Sequence, residues 1–272
     1  MHTGLNHTKL RKMVYVLILV AVALSACSGA SRAPGGLPAA ANSAIVVSAA
    51  ASLSNVLQDL GRLYEQRTGT RLAVNVAASN TLARQIAAGA RVDLFISADE
   101  AQMNDVTADI VPGTRVDLLS NELAVAVPDD RFRRLASVRD LASPGFARIA
   151  IGEPSAVPAG VYAKDYLEKV GLWSALRPRL VPSGSVRLAL AAVETGAADA
   201  AIVYRTDVPT APHARTALVI PATEGPRIIY PAAIVRSGQH QDGARRLLAF
   251  LQTDVAAAVF ERAGFTALHH ER

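Results

Sequence analysis

The sequence predicts an α/β protein built on parallel strands, and three observations carry that reading. Short apolar runs alternate with amphipathic segments, giving strand 45–50, helix 53–67, strand 72–77, helix 80–88 and strand 93–97. The runs are apolar at consecutive positions, the pattern of strands that helices cover on both faces. Two of them end in small residues and then a serine, AAASL at 49–53 and AASN at 77–80.

Ahead of the first strand, Lys9, Arg11 and Lys12 precede the apolar run Met13–Ala23. That run is too short to span a membrane and has the length of a secretory leader. It leads into Leu24-Ser25-Ala26-Cys27, which looks like a bacterial lipobox: cleavage before Cys27, then lipid such as palmitate on that residue. The chain has one cysteine, and it stands where the motif needs it, so no internal disulfide is possible and nothing suggests a thiol enzyme. Residues 1–26 therefore read as a lipoprotein signal peptide. Residues 27–42, rich in Ala, Gly, Pro and Ser, read as a flexible tether.

The leader also distorts the charge. The whole chain carries +5, but three of its 28 basic residues precede Cys27 with no acid beside them, leaving 25 − 23 = +2. The sequence pI near 9.6 is then no argument for nucleic acid. The remaining basic residues are mostly scattered arginines, with no basic stripe interleaved with aromatics.

About 245 residues follow Cys27, enough for one large or two moderate domains. In the first helix Leu53, Val56, Leu57, Leu60, Leu63 and Tyr64 recur at helical spacing, and Gly69 is a stop signal. Ser52 and Ser79 each stand at a strand–helix junction. There a hydroxyl and free backbone N–H groups sit on the positive end of a helix dipole. Successive βα units bring both junctions to one carboxyl edge of the sheet, where α/β ligands bind. The inference is an anion site. Taken singly, each serine also reads as an ordinary N-cap.

Two further junctions follow. Ile149–Gly152 is a short strand leading through Glu153–Gly160 into a helix over 160–170, stopped by Gly171. Proline near the first turn leaves the following N–H groups free. Pro182-Ser183-Gly184-Ser185 then precedes a helix from Val186 to Thr195, again with unpartnered first-turn N–H groups. Ala200–Tyr204 is a buried strand ending in a tyrosine, which alone reads equally as core.

Six pieces in order, AAASL, ASNTLARQI, DLFISAD, GEPSAVPAGVYAK, VPSGSVRLALA and AIVY, resemble the molybdate-binding proteins of ABC importers. The resemblance runs from about Ile45 to Gly264-Phe265. It implies a two-lobed periplasmic-binding-protein type II fold, each lobe a mostly parallel sheet flanked by helices, with the ligand in the interlobe cleft. The apolar runs Asn121–Pro128 and Arg227–Arg236 would be the crossings. Lobe one is then expected at 43–123 plus 234–272, and lobe two at 124–233. The positions matching the family's oxyanion ligands are Ser52 and Ser79 through hydroxyl and N–H, Ala159 and Val186 through N–H, and Tyr204 through its hydroxyl. The expected ligand is molybdate or tungstate, held by these five without any direct metal-cation ligand and without a cofactor. Expected partners are an ABC permease and, through it, its ATPase, with the membrane reached through lipid on Cys27 and no nucleic acid. The protein is expected to be a monomer facing the periplasm or cell exterior. Asn80, where relatives often have serine, is expected just behind the ligand; Arg84, Gln85, Asp93 and Asp99 are expected to be structural. Arg187 is expected to add a diffuse positive field without direct contact.

An enzyme is the rival class. A serine nucleophile needs a base, yet the six histidines lie in the leader, in polar stretches at His213 and His240, or at the tail, and no GxSxG elbow or metal-ligand spacing occurs. A nearer alternative keeps the fold and changes the anion to sulfate or thiosulfate. A third makes the protein a ligand sensor rather than an importer's receptor.

Overall fold

In a computed structural model, which describes residues 44–268, the two serine-ended runs become neighbouring parallel strands. β1 (Ile45–Ala50) and β2 (Leu72–Ala77) pair in register from Ile45 opposite Leu72 to Ala50 opposite Ala77. Their carboxyl ends, and the serines that follow, therefore lie side by side. The connecting helix α1 (Ser54–Thr68) buries Val56, Leu57, Leu60 and Tyr64 and ends at Gly69, whose φ of 70° is the left-handed turn that suits glycine. Helix α2 (Ser79–Ala87) leads to β3 (Leu94–Ile96), parallel to β1 on its other side.

The chain continues through α3 (Glu100–Asp105) to β4 (Val116–Asn121) and, after Glu122 alone, into β5 (Leu123–Pro128) of a second sheet. That sheet contains β6 (Ile149–Gly152), β7 (Leu180–Ser183), β8 (Ala200–Tyr204) and β9 (Ala214–Ile220), in the order β7-β6-β8-β5-β9. Helices α4 (Pro158–Lys169), α5 (Trp173–Leu176) and α6 (Val186–Glu194) connect its parallel strands. The chain then returns through β10 (Ile228–Ile234), α7 (Gln241–Leu251), α8 (Asp254–Arg262) and the short β11 (Thr266–Ala267), completing a first sheet of order β11-β4-β10-β3-β1-β2.

Three expectations need correction. The sheets are mixed rather than mostly parallel, because the crossing strands must run against the rest: β10 is antiparallel to β3 and β4, and β5 to β8 and β9. β10 belongs wholly to the first sheet, hydrogen-bonded on both edges, so the return to lobe one falls before Ile228 rather than at residue 234. Finally, β2 is not covered on both faces. It is an edge strand whose Val74 and Val76 are 36% and 41% exposed, so its apolar run reflects β propensity rather than burial.

One continuous apolar core runs through both sheets and the crossings, from Leu57 and Leu60 under α1 to Leu190 and Val193 under α6. A smaller cluster around Leu82, Ile86, Phe95 and Met103 fills the space beneath α2 and α3. Cys27, the leader and the tether lie outside the described residues.

Candidate functional site

Ser52, Ser79, Ala159, Val186 and Tyr204 line one small cavity between the two sheets, together with Ala50, Ala51, Ala78, Ala98, Val157 and Pro158. None of these residues carries a charge. The free volume is about 10 Å³, on the scale of a single small ion or water.

Lobe one supplies side chains. Ser52 sits inside a tight turn, Ala51–Leu53, between β1 and α1, and Ser79 is the first residue of α2; neither side chain caps its helix. Both are buried. The Ser79 hydroxyl oxygen accepts the Ala98 N–H at 2.9 Å. The Ser52 hydroxyl lies 3.0 Å from the Tyr230 hydroxyl, which in turn accepts from Asn121 Nδ2 at 3.2 Å. Neither serine therefore plays the capping role open to it on sequence alone.

Lobe two supplies backbone. Pro158 opens α4 after Val157; the Gly160 and Val161 N–H groups turn back to the Val157 carbonyl at 2.8 and 2.9 Å. Ala159, in the same first turn, lines the cavity, and its N–H belongs to the set with no intrahelical carbonyl to meet. A glycine pair lets the helix start approach the sheet: a Cβ on Gly160 would lie 2.1 Å from the Gly152 carbonyl oxygen. Val186 is the first residue of α6, capped by Ser185, whose hydroxyl accepts the Leu188 N–H at 3.2 Å. Two helix N-termini thus bring partial positive charge to an uncharged cavity.

Tyr204 closes the wall from the end of β8. Its hydroxyl is buried with no hydrogen-bond partner among the described residues, and burial holds its pKa well above the ordinary tyrosine value, so it stays a neutral donor. Leaving such a group unpaired costs about 1–3 kcal/mol. Tyr204 is also one of the residues that line the cavity.

Residues behind this wall tie the halves together. Asp207, fully buried, accepts the Tyr204 N–H at 3.2 Å through Oδ2, while its Oδ1 is 2.8 Å from Arg187 Nε. This second contact is an ion pair by distance, without the alignment of a hydrogen bond. Arg187 Nη2 then reaches the Ser52 carbonyl in lobe one at 3.2 Å, and Nη1 bonds Thr210. Burial raises the Asp207 pKa to about 6 against the opposing pull of Arg187. Arg187 accordingly acts through defined bonds rather than a diffuse field. A larger cleft of about 390 Å³ opens beyond Ser52 between Arg187, Arg205 and Arg262; Arg205 is committed to Glu122 and to the Gly264 carbonyl.

The other sequence candidates have structural places. Asp93 accepts from Val46 N–H and His240 N–H, each at 2.8 Å, and contacts the His240 ring at 3.0 Å. Burial pushes its pKa up, and these bonds outweigh that to hold it low. Asp99 caps α3 by accepting the Gln102 N–H. Gln85 bonds Asn75, and Arg84 bonds Thr81 at the surface. Asn80 is buried beside Ser79, and its Oδ1 lacks a partner among the described residues. Among the described residues no group of three or more His, Cys, Asp or Glu converges to hold a metal ion, and no helix is long and apolar enough to cross a membrane. Sequence reading missed Tyr230, Asn121 and Asp207. The first two lie within or beside apolar runs, and Asp207 follows the β8 motif by three residues.

Comparison with known proteins places this architecture. The family model described as bacterial extracellular solute-binding protein matches residues 45–266. The molybdate-binding protein ModA of Escherichia coli (strain K12) is 37% identical over 252 residues, covering 89% of this chain and 96% of that protein. Among solved structures, the Azotobacter vinelandii periplasmic molybdate-binding protein matches with a TM-score of 0.73 at 24% identity, covering 82% of this chain and 98% of that one. The sulfate-binding protein SubI from Mycobacterium tuberculosis H37Rv matches with a TM-score of 0.70 at 17% identity, covering 83% and 87%. These two likenesses establish the shared fold and leave the choice of anion to the site.

Proposed function

The chain belongs to the bacterial extracellular solute-binding proteins, and from that premise we propose that it captures molybdate, and tungstate with it, for import by an ABC transporter. The observation that carries the reading is an uncharged interlobe cavity of ion size lined by Ser52, Ser79, Ala159, Val186 and Tyr204, with the Tyr204 hydroxyl left unpaired. These five are the proposed ligands, the serines through hydroxyl and N–H, Ala159 and Val186 through N–H, and Tyr204 through its hydroxyl.

The chemistry fits a tetrahedral dianion without a proton. Each of its oxygens accepts hydrogen bonds, and every proposed contact donates one; helix dipoles supply the positive field that no arginine brings into the cavity. Hydrogen phosphate carries a proton that needs an acceptor, and a mismatch of this kind costs about 1–3 kcal/mol, roughly tenfold to hundredfold in affinity. Sulfate shares charge and proton state with molybdate, so size alone separates them; tungstate is close enough in size to be taken equally. The two lobes close around the ion, and loss of water strengthens each donor bond. The Arg187 bond to Ser52 and the Arg205 bond to Gly264 bridge the lobes.

Outside the described residues, the lipobox supports cleavage before Cys27 and an acyl anchor there, holding a monomeric receptor on the outer face of the cell membrane beside its permease. Its work is binding, with the transporter's ATPase supplying the energy. Calorimetry with molybdate, tungstate, sulfate, thiosulfate and phosphate tests the function directly, with mass spectrometry of co-purified molybdenum as a second readout. Molybdate and tungstate should bind far more tightly than the rest. A preference for sulfate or thiosulfate would reassign the ligand.

A further inference from the structure

We propose that Tyr230 and Asn121 are positioning residues that fix the sense of the Ser52 hydroxyl, holding it as a donor toward the bound anion and so selecting ligands without a proton. The inference rests on the oxyanion reading above and adds the means by which the site enforces it.

The chain of bonds begins in the first crossing. Asn121 Oδ1 accepts the Glu122 N–H at 2.8 Å, which identifies the other end of the amide as the NH2 group. That NH2 spends one hydrogen on Thr206 Oγ1 at 2.9 Å and the other on the Tyr230 hydroxyl oxygen at 3.2 Å. Tyr230 is fully buried, and burial keeps its phenol protonated. With its oxygen accepting from Asn121, the phenol directs its own proton to the Ser52 oxygen, 3.0 Å away. Ser52, having accepted, turns its proton elsewhere, and the cavity it lines is where a free donor is wanted.

Ser79 carries the same device in simpler form. Its oxygen accepts the Ala98 backbone N–H at 2.9 Å, which likewise leaves the hydroxyl proton for the cavity. A hydroxyl both donates and accepts when free. Here a fixed donor occupies each serine from behind, so neither is set to receive the proton of an anion such as hydrogen phosphate. The two arrangements differ in what can be altered: Ala98 acts through its backbone, whereas Tyr230 acts through one removable hydroxyl.

The test is calorimetry on the full-length protein with two probes, molybdate and hydrogen phosphate, at mildly alkaline pH. Tyr230→Phe keeps the ring and frees Ser52 to turn. Molybdate binding should weaken about tenfold, the worth of one hydrogen bond to a charged partner, while phosphate binding holds or improves, so selectivity falls by at least that factor. In a Ser52→Ala background, Tyr230→Phe should have no further effect on molybdate, because it acts through Ser52. Equal weakening toward both anions, or effects that simply multiply in the double variant, would overturn the proposal. If Tyr230→Phe does not fold, Asn121→Leu removes the upstream donor and should shift selectivity the same way by a smaller factor; no shift there overturns the proposal equally. Wild-type protein that fails to bind molybdate counts against the proposed function instead, and the selectivity comparison is then made with whichever unprotonated oxyanion binds.

Discussion

The two halves of the site solve one problem with different materials. Lobe one offers hydroxyl groups on Ser52 and Ser79, each braced from behind by a donor. Lobe two offers mainly backbone, delivered by helix starts at Ala159 and Val186, with a single hydroxyl from Tyr204. Side-chain donors are lost when the side chain is truncated. Backbone donors survive almost any substitution at their own position and are lost only when the helix moves. The residues that matter in lobe two are therefore neighbours, Gly152 and Gly160 above all.

The sharpest test of that contrast is Gly160→Ala. The added methyl would meet the Gly152 carbonyl oxygen at 2.1 Å, so α4 must shift and withdraw both the Ala159 N–H and its dipole. Affinity for molybdate should fall by about a hundredfold or more, whereas Ala159→Ser, at the donor itself, should cost much less. Calorimetry on both variants decides it; the reverse ranking would end the claim that geometry carries this half.

Ser52→Ala and Ser79→Ala come next, each weakening molybdate by about 1.5–3 kcal/mol. Neither hydroxyl caps a helix, but each accepts from a buried donor behind it, so each truncation should also cost about 1–3 kcal/mol of stability; the loss of affinity is what marks them as ligands. Ser137 is the control: it closes a capping box with Asp140, far along the chain from the cavity residues. Ser137→Ala should cost about 1 kcal/mol of stability and leave affinity intact. Should the two cavity serines behave like Ser137, they are structural.

Tyr204→Phe sharpens the comparison differently. Its hydroxyl has no partner among the described residues, so the variant should be as stable as wild type without ligand or more so, yet bind molybdate about tenfold more weakly. Differential scanning calorimetry with and without the anion reads both quantities. A stability loss without an affinity loss would place the hydroxyl in the core's service.

The last expectation concerns stability rather than affinity, through its pH dependence. Burial raises the Asp207 pKa from 3.8 to about 6, so the folded state takes up this proton more readily than the unfolded chain. The stability it contributes is fully present below 3.8 and lost as pH rises through about 6. Asp207→Asn removes the titration, and the difference in unfolding free energy between wild type and variant should shift across that window in wild type's disfavour as pH rises. A difference independent of pH would mean that the group does not titrate there.

The same contrast explains what the sequence disclosed. Ser52 and Ser79 announce themselves, because serine at the end of an apolar run is a local pattern with a local physical meaning. Ala159 and Val186 have no chemical signature of their own; only their place in an ordered set of motifs marks them. Tyr230 was concealed because Ile228–Ile234 reads as one apolar strand, and a single phenol inside it looks like core until the fold brings Asn121 and Ser52 to it. The alternation of strands and helices told the class correctly. It could not tell the direction of the crossing strands, since β5 and β10 are apolar whichever way they run, and direction is set by which sheet each must join.

The position of β10 has a bearing on how the molecule is made. It is the strand that joins β4 to β3 in the first sheet, yet nearly the whole second lobe is synthesised before it. Until residues 228–234 arrive, β1, β2 and β3 have no bond to β4, and the early chain cannot complete the layer it begins. Its native pairings span large sequence separations, such as Ile96 with Ala232, which makes folding slow for topological reasons. The first sheet of this design is therefore completed only when almost all of the chain is available.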